Sequence, residues 1–357
     1  MNVLLPLHFY KGAINKVKKT YVSHYFDDPN ALKANINNLL RLHKDGVRLW
    51  EQAQELALKE TEIAAREGLN ILCLNDVDNF PEHLHEIPDP PMVLFGRGRW
   101  NNAKVPLSMV GSRKATNYGL HATRQMVLEL SRYPVNLVSG LALGVDGQMH
   151  RAALENGATT TAFIAGGMGE LSPKSHQNIA DEMVASGGGY FTEQPFYQPS
   201  LRQMYPVRNR LIAGASLATV VVEAARRSGA MITANQAVGY NRELFALPGA
   251  HFQPMSEGPN ALIHECKASS IFDYSKFPGE FYPIWQSAQG EIDFSQGIES
   301  RILREFPHGR KVNVYHLMKT HKDHKSQIFK ALRFLVEVGA IDKIGPNMYC
   351  RKSPVTE

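Results

Sequence analysis

Arg208-Asn209-Arg210-Leu211-Ile212-Ala213-Gly214, closely followed by Thr219-Val220-Val221-Val222, decides how this chain is read. Two guanidiniums, an amide and a small-residue segment stand before a run with the β-branched composition of a buried strand. Two upstream loops have the same setting. Gly111-Ser112-Arg113-Lys114 follows apolar Leu107-Ser108-Met109-Val110, and Ser139-Gly140-Leu141-Ala142-Leu143-Gly144-Val145-Asp146 follows Val135 to Val138. Each loop leads into a segment with helical spacing.

The alternation continues in both directions. Ile71 to Leu74 and Val93 to Gly96 read as strands. Helix-like Leu120 to Leu130 precedes the strand at 135–138, and Gln148 to Glu155 precedes Thr160 to Ala165. Ile179 to Ala185 precedes Tyr190-Phe191-Thr192, and Met231 to Val238 precedes Leu244 to Leu247. Near-continuous apolar strands between amphipathic helices predict a parallel sheet covered on both faces. The expectation for 70–275 is an extended, Rossmann-like, doubly wound α/β domain of about six strands or more.

In such a sheet the loops gather at the carboxyl ends of the strands. Exposed amides, helix N-termini and forked guanidiniums there suit phosphate. Gly111 permits close backbone approach, the Ser112 hydroxyl can donate, and Arg113 can fork onto an anion with Lys114 beside it. Ser139 and Gly140 open the second loop. Lys174 follows the Gly166-Gly167-Met168-Gly169 turn. Arg208, Asn209 and Arg210 complete the candidate set. Asp146 either caps the helix after it, meets a ribose hydroxyl or orders a basic neighbour.

Residues 1–69 carry helical spacing at Leu32, Ile36, Leu39, Leu40, Val47, Trp50 and Ala53, which predicts a small helical module. Residues 276–297, with Pro278, Gly279, Pro283 and Gly290, read as a linker. Residues 298–357 predict three helices and a hairpin around Gly345-Pro346-Asn347, the pattern of a winged helix. Lys322, Lys325, Lys330 and Arg333 lie on or beside its third helix, which suits a nucleic-acid groove or phosphates; a protein-contact module is the alternative reading.

The 357 residues are 43% hydrophobic and 20% charged, with net charge +5. Because 34 acidic residues dilute the positive charge, any basic surface must be local. Cys73, Cys266 and Cys350 are far apart, so no disulfide framework or zinc site is expected. No run approaches the length of a membrane span. A soluble cytoplasmic protein in a reducing compartment is the expectation. The chain lacks G-x-x-x-x-G-K-[ST], lacks G-x-G-x-x-G after the first strand, and lacks G-x-S-x-G. These absences argue against a P-loop ATPase, an ordinary dinucleotide enzyme and an α/β-hydrolase. His83-Leu84-His85-Glu86 has no partner set for a metal, and no cofactor is expected.

Together the loops resemble the DNA-processing protein A family (DprA/Smf). Val110-Gly111-Ser112-Arg113 matches its G-S/T-R motif. Ser139 to Asp146 with His150 and Ala153-Leu154 resembles its S-G-x-A-x-G-[IV]-D-x-x-[AM]-H-x-x-A-L stretch. Tyr205-Pro206-Val207-Arg208-Asn209-Arg210-Leu211-Ile212-Ala213-Gly214 resembles F-P-x-R-N-R-x-I-[AS]-G. Val222-Glu223-Ala224, Ser228-Gly229-Ala230, Ala246-Leu247-Pro248-Gly249 and Ser256-x-Gly258-x-Asn260 follow in the family's order. Two positions depart from it: Ser172 stands where an aromatic precedes Pro173, and Tyr205 replaces Phe.

The resemblance implies a helical N-terminal module of the SAM or helix-hairpin-helix kind, a Rossmann-like domain that binds single-stranded DNA, and often a C-terminal winged helix. It further implies a homodimer without a catalytic centre that protects incoming strands in natural transformation and helps load RecA recombinase. Arg113 is then the leading phosphate contact. With Lys174, Arg208 and Arg210 it gives about four ion contacts per subunit and a salt slope near −3. Two other functions stay open on the residues. One is a nucleotide-processing hydrolase similar to the lysine-decarboxylase-like phosphoribohydrolases, with Glu223 as acid/base. The other is a duplex binder acting through the winged helix.

Overall fold

The computed structural model describes residues 3–11, 34–76, 78–282, 302, 305–306, 311–320, 325–337, 341–345 and 348–351. The chain forms two compact units, Met1–Pro278 and Gly279–Glu357. In the first, the described residues lead in with α1 (Leu4–Phe9), α2 (Ile36–Leu40) and α3 (Gly46–Glu67). Then come β1 (Asn70–Cys73), β2 (Val93–Gly98), β3 (Val105–Val110) and α4 (Asn117–Leu130). The alternation runs on through β4 (Val135–Ser139), α5 (Val145–Glu155), β5 (Thr159–Phe163), α6 (Gln177–Ala185) and β6 (Gly189–Thr192). It ends with α7 (Met204–Gly214), β7 (Ala218–Val221), α8 (Gly229–Gly239), β8 (Glu243–Ala246), α9 (Glu257–His264) and β9 (Ser269–Ser270).

The nine strands make one sheet in the order β1-β2-β6-β5-β4-β3-β7-β8-β9. From β6 to β9 every neighbour is parallel, whereas β2 joins β6, and β1 joins β2, antiparallel. The sheet is thus the expected α/β type, extended by two antiparallel strands. The chain winds outward from β3 through β4, β5 and β6, then returns to place β7 on β3's other side. Loops after β3 and β7 therefore leave in opposite directions, which opens a crevice at the carboxyl edge. Inside that central pair, the Ser108 and Thr219 hydroxyls lie 2.7 Å apart, and Ser108 also donates to Ala218 O at 3.2 Å. Buried hydroxyls so paired avoid the cost of an orphaned polar group.

Residue 69 marks no break in the core. Leu4, Leu7, Leu39, Ala53 and Ala57 belong to the same buried cluster as Phe95, Phe163 and Leu211. The unit boundary falls within the expected linker, of which 283–297 lie outside the described residues.

The larger difference concerns the stretch read first. Arg208 to Gly214 is not a rim loop but the greater part of helix α7, and all seven of these residues are buried. A Cβ on Gly214 would stand 2.7 Å from Ile87 Cγ2, so the helix is wedged against the core at its small residues. Residues 208–214 present no polar face, and their polar side chains must find partners inside.

In the second unit, β10 (Lys311–Asn313), α10 (Val314–Thr320), α11 (Lys325–Glu337), β11 (Ile341–Gly345) and β12 (Met348–Arg351) follow one another. Their antiparallel sheet has the order β10-β12-β11. Ile302, Phe306, Leu317, Ile328, Leu332, Leu335 and Ile341 form its core. The spacing at 314–318 and 328–336 thus marks two helices, and the hairpin strands are present. Most of the expected first helix, together with Asp323 and Lys322, lies outside the described residues.

Candidate nucleic-acid interface

After β3 the chain turns sharply. Ser112 N–H donates to Glu223 O at 2.6 Å, and Ser112 O accepts from Val145 N–H at 3.2 Å. The Ser112 hydroxyl accepts from Lys114 N–H at 3.0 Å. Ser112 therefore shapes the turn, and its hydroxyl is engaged within it. Gly111 serves packing, since a Cβ there would stand 2.4 Å from Val145 Cγ2. The turn's apex is Arg113-Lys114, and both are exposed. Thr116 then caps α4, accepting from Gly119 N–H. The Thr116 hydroxyl and N–H both donate to the Glu223 carboxylate, at 2.6 and 2.8 Å. Glu223, the acid/base candidate of the hydrolase reading, thus holds the turn after β3.

The loop before α5 meshes with this turn. Gly144 has φ +78°, and a Cβ on it would stand 2.1 Å from Ser112 O. Ser139 and Gly140 are not available to a ligand as expected. The Ser139 hydroxyl donates to Met109 O at 2.7 Å and is fully buried. Gly140 N–H donates to Asp146 Oδ2 at 3.1 Å, while Gly140 O accepts from Arg208. Asp146 makes no cap. It gathers the amides of Gly140 and Ala142 and faces Arg208, the expected ordering of a basic neighbour.

Arg208 and Arg210 also leave the expected phosphate set, for a reason visible in α7. Arg208 is 6% exposed and donates to Gly140 O at 2.9 Å and to Phe163 O. Burial lowers its guanidinium to about 10, with the Asp146 carboxylate opposing that loss, so the side chain stays charged at neutral pH. Arg210 lies 2.9 Å from Asp89 Oδ2 and 2.7 Å from Glu193 Oε1, and burial pushes the Glu193 carboxyl up. Asn209 donates to Gly229 O at 3.2 Å, tying α7 to α8. This triplet ties helices and loops together from beneath the rim.

At the surface the set is smaller. The Arg113 guanidinium stands over the Tyr205 ring, 4.7 Å from its centroid, and Arg208 approaches the same ring at 5.9 Å. Tyr205 reaches across to Ser172, hydroxyl to hydroxyl at 3.3 Å. One half-buried ring therefore joins the loop after β3, the loop after β5 and the start of α7. Lys174, two residues beyond Ser172, is exposed and pairs with Glu170 at 2.7 Å. The hydrogen bond it donates to the Glu170 carboxylate raises its pKa. A surface pair of this kind contributes little, so Glu170 yields readily to a stronger anion. Sequence reasoning missed Tyr205 as a platform, for which the spacing of Tyr205 and Arg208 at i and i+3 was the available signal. In the second unit, Lys325 and Lys330 lie on α11, and Arg333 stands over the Tyr282 ring at 5.7 Å.

His150, also in the resembling stretch, is fully buried and has an acid consequence. Thr160 Oγ1 donates to Leu137 O at 2.8 Å, so its lone pair accepts from His150 Nδ1–H at 2.7 Å. Burial, with His176 and Arg208 nearby, lowers the imidazole to about 3. Between that value and about 6.5 the unfolded chain binds a proton that the folded chain refuses. Stability is accordingly complete above pH 6.5 and falls as pH drops, by up to about 1.4 kcal/mol per pH unit. Urea midpoints at pH 7.5, 6 and 5 are expected to decline more steeply for this chain than for His150→Asn, whose side chain does not titrate.

A family model described as DNA recombination-mediator protein A matches residues 70–280. The chain is 38% identical over 191 residues to protein Smf of Escherichia coli, covering 53% of this chain and 51% of that protein. It is 35% identical over 201 residues to DNA processing protein DprA of Bacillus subtilis, covering 56% and 67%. The matched segment thus spans about half to two thirds of these relatives' own length, 51% and 67%. Among solved structures, DNA processing protein A of Streptococcus pneumoniae superposes with TM-score 0.65 at 25% identity, over 77% of this chain and 96% of that one. DNA processing protein A of Helicobacter pylori, described for its single-stranded DNA binding mode, gives TM-score 0.53 at 25% identity, over 59% and 94%. The meshed loops, the α7 triplet and the sheet order all fall within residues 70–280, and over that span the chain belongs to the DNA recombination-mediator protein A family.

Proposed function

We propose that this chain binds single-stranded DNA along the carboxyl rim of its sheet and acts as a recombination mediator, not as an enzyme. The carrying observation is the Arg113 guanidinium, exposed and held over Tyr205 at 4.7 Å, with Lys114 beside it and Lys174 past Ser172. A guanidinium oriented in advance loses less freedom on meeting phosphate than a free one. The Tyr205 face and the phosphate contacts suit a single strand, whose bases are free to stack. Phosphates carry no sequence code, so binding discriminates weakly among sequences. Gly111, Ser112, Ser139, Gly140, Arg208, Asn209 and Arg210 set the rim's shape, and Arg113, Lys114 and Lys174 meet the strand. In this reading two rims of a homodimer share one strand and gain avidity. The strand is protected during natural transformation and passed to RecA recombinase. The second unit, read as a winged helix with Lys322, Lys325, Lys330 and Arg333, makes a secondary contact.

Gel shifts with one oligonucleotide, single and annealed, test the reading on the full chain and on a chain ending at Pro278. Single strand is expected to bind at least about tenfold tighter than duplex, and the shortened chain to keep most of that affinity. Loss of all binding on shortening would place the interface in the second unit.

A further inference from the structure

The first unit holds a cleft that the strand-binding rim does not use. It has a volume of about 730 Å³, within the range of small-ligand pockets. It lies at the crevice where the loops after β3 and β7 diverge, with the loop after β8 as its far wall. Arg113 and Tyr205 do not line it.

Its chemistry is specific. The Tyr118 ring and Pro248 give apolar walls, and the Tyr118 hydroxyl donates to Pro248 O at 2.8 Å, holding one against the other. Asn117 and Gln253 bring carboxamides, each a donor and an acceptor side by side. Ser256 is 4% exposed and lines the cleft, yet its hydroxyl makes no hydrogen bond among the described residues. Its oxygen opens onto the cleft, where it can donate to and accept from a ligand. The wall carrying it is rigid. Asn260 exchanges two hydrogen bonds with Gly249, at 2.9 and 3.1 Å, and a Cβ on Gly249 would stand 2.1 Å from Ser256 Oγ.

Charge decides between ligand classes. The N-terminus of α4 attracts anions with about half a unit charge. The Glu223 carboxylate, in the same cleft, already sits on that end through Thr116 and carries a full charge. A phosphate is therefore repelled, whereas an uncharged group with N–H or O–H donors is accepted. We propose that this cleft is a second ligand site, for an uncharged nucleoside: a flat base between Tyr118 and Pro248, its edge read by Asn117 and Gln253, and a hydroxyl bonded to Ser256.

The test uses the full chain and calorimetric titration with adenosine, guanosine, cytidine and thymidine. At least one is expected to saturate below about 1 mM, the weak end of specific recognition. Its 5′-monophosphate is expected to bind at least about fivefold more weakly. Ala250→Trp, at an exposed lining position, and Asn117→Leu should each weaken the nucleoside by about tenfold or more while leaving single-strand affinity within about twofold. Arg113→Ala should do the reverse, so failure of the rim and failure of the cleft are separable. No saturation by any nucleoside, unchanged affinity in Ala250→Trp, stronger binding of the monophosphate, or displacement of nucleoside by oligonucleotide would each overturn the proposal.

Discussion

Arg113→Ala is expected to weaken binding of every single-stranded sequence alike, by about ten- to a hundredfold. A hydrogen bond to a charged group contributes about 1.5–3 kcal/mol, and about 1.4 kcal/mol is a factor of ten. Arg113→Lys should restore only part of the loss. An ammonium keeps the charge but neither forks onto phosphate nor lies flat on Tyr205. The salt dependence carries an independent number. With Arg208 and Arg210 buried and Lys114 counted beside Arg113 and Lys174, about three cations per subunit meet the strand, and the slope of log affinity on log salt should be near −2, not −3. It should become shallower in Arg113→Ala by about 0.7. Filter binding across a salt series measures both quantities. A loss confined to one sequence would assign Arg113 to base reading instead.

Arg208→Met should behave in the opposite way. Removing the guanidinium leaves Gly140 O, Phe163 O and the Asp146 carboxylate without their partner. Breaking a buried charge pair costs about 3–5 kcal/mol. The urea midpoint should fall accordingly, whereas Arg113→Ala should shift stability by no more than about 0.5 kcal/mol. Any loss of DNA affinity in Arg208→Met should follow loss of folded protein. An unchanged midpoint with abolished binding would return Arg208 to the rim.

These two arginines show where sequence reading works and where it stops. The sheet was legible because its strands are near-continuously apolar and its flanking helices are amphipathic, as in β3, α4 and β4. Arg113 was legible because it tops a turn after such a strand. The burial of Arg208 and Arg210 was not. Residues 208–214 of their helix are all buried, so this part lacks the polar face that gives helical periodicity. Its carboxylate partners, Asp89 and Glu193, are distant in sequence and carry no local sign of pairing. The shared core of α1, α2 and α3 with the sheet was equally hidden. A helix's apolar stripe says that it packs, not on what.

Gly144 sits with φ +78° where a single added carbon would strike Ser112 O at 2.1 Å. Two stretches of chain more than thirty residues apart are thereby machined to one another like gear teeth. Neither can be re-cut alone. A library that randomises Gly111 and Gly144 will return few folded members, whereas the exposed apex at 113 and 114 is free to vary.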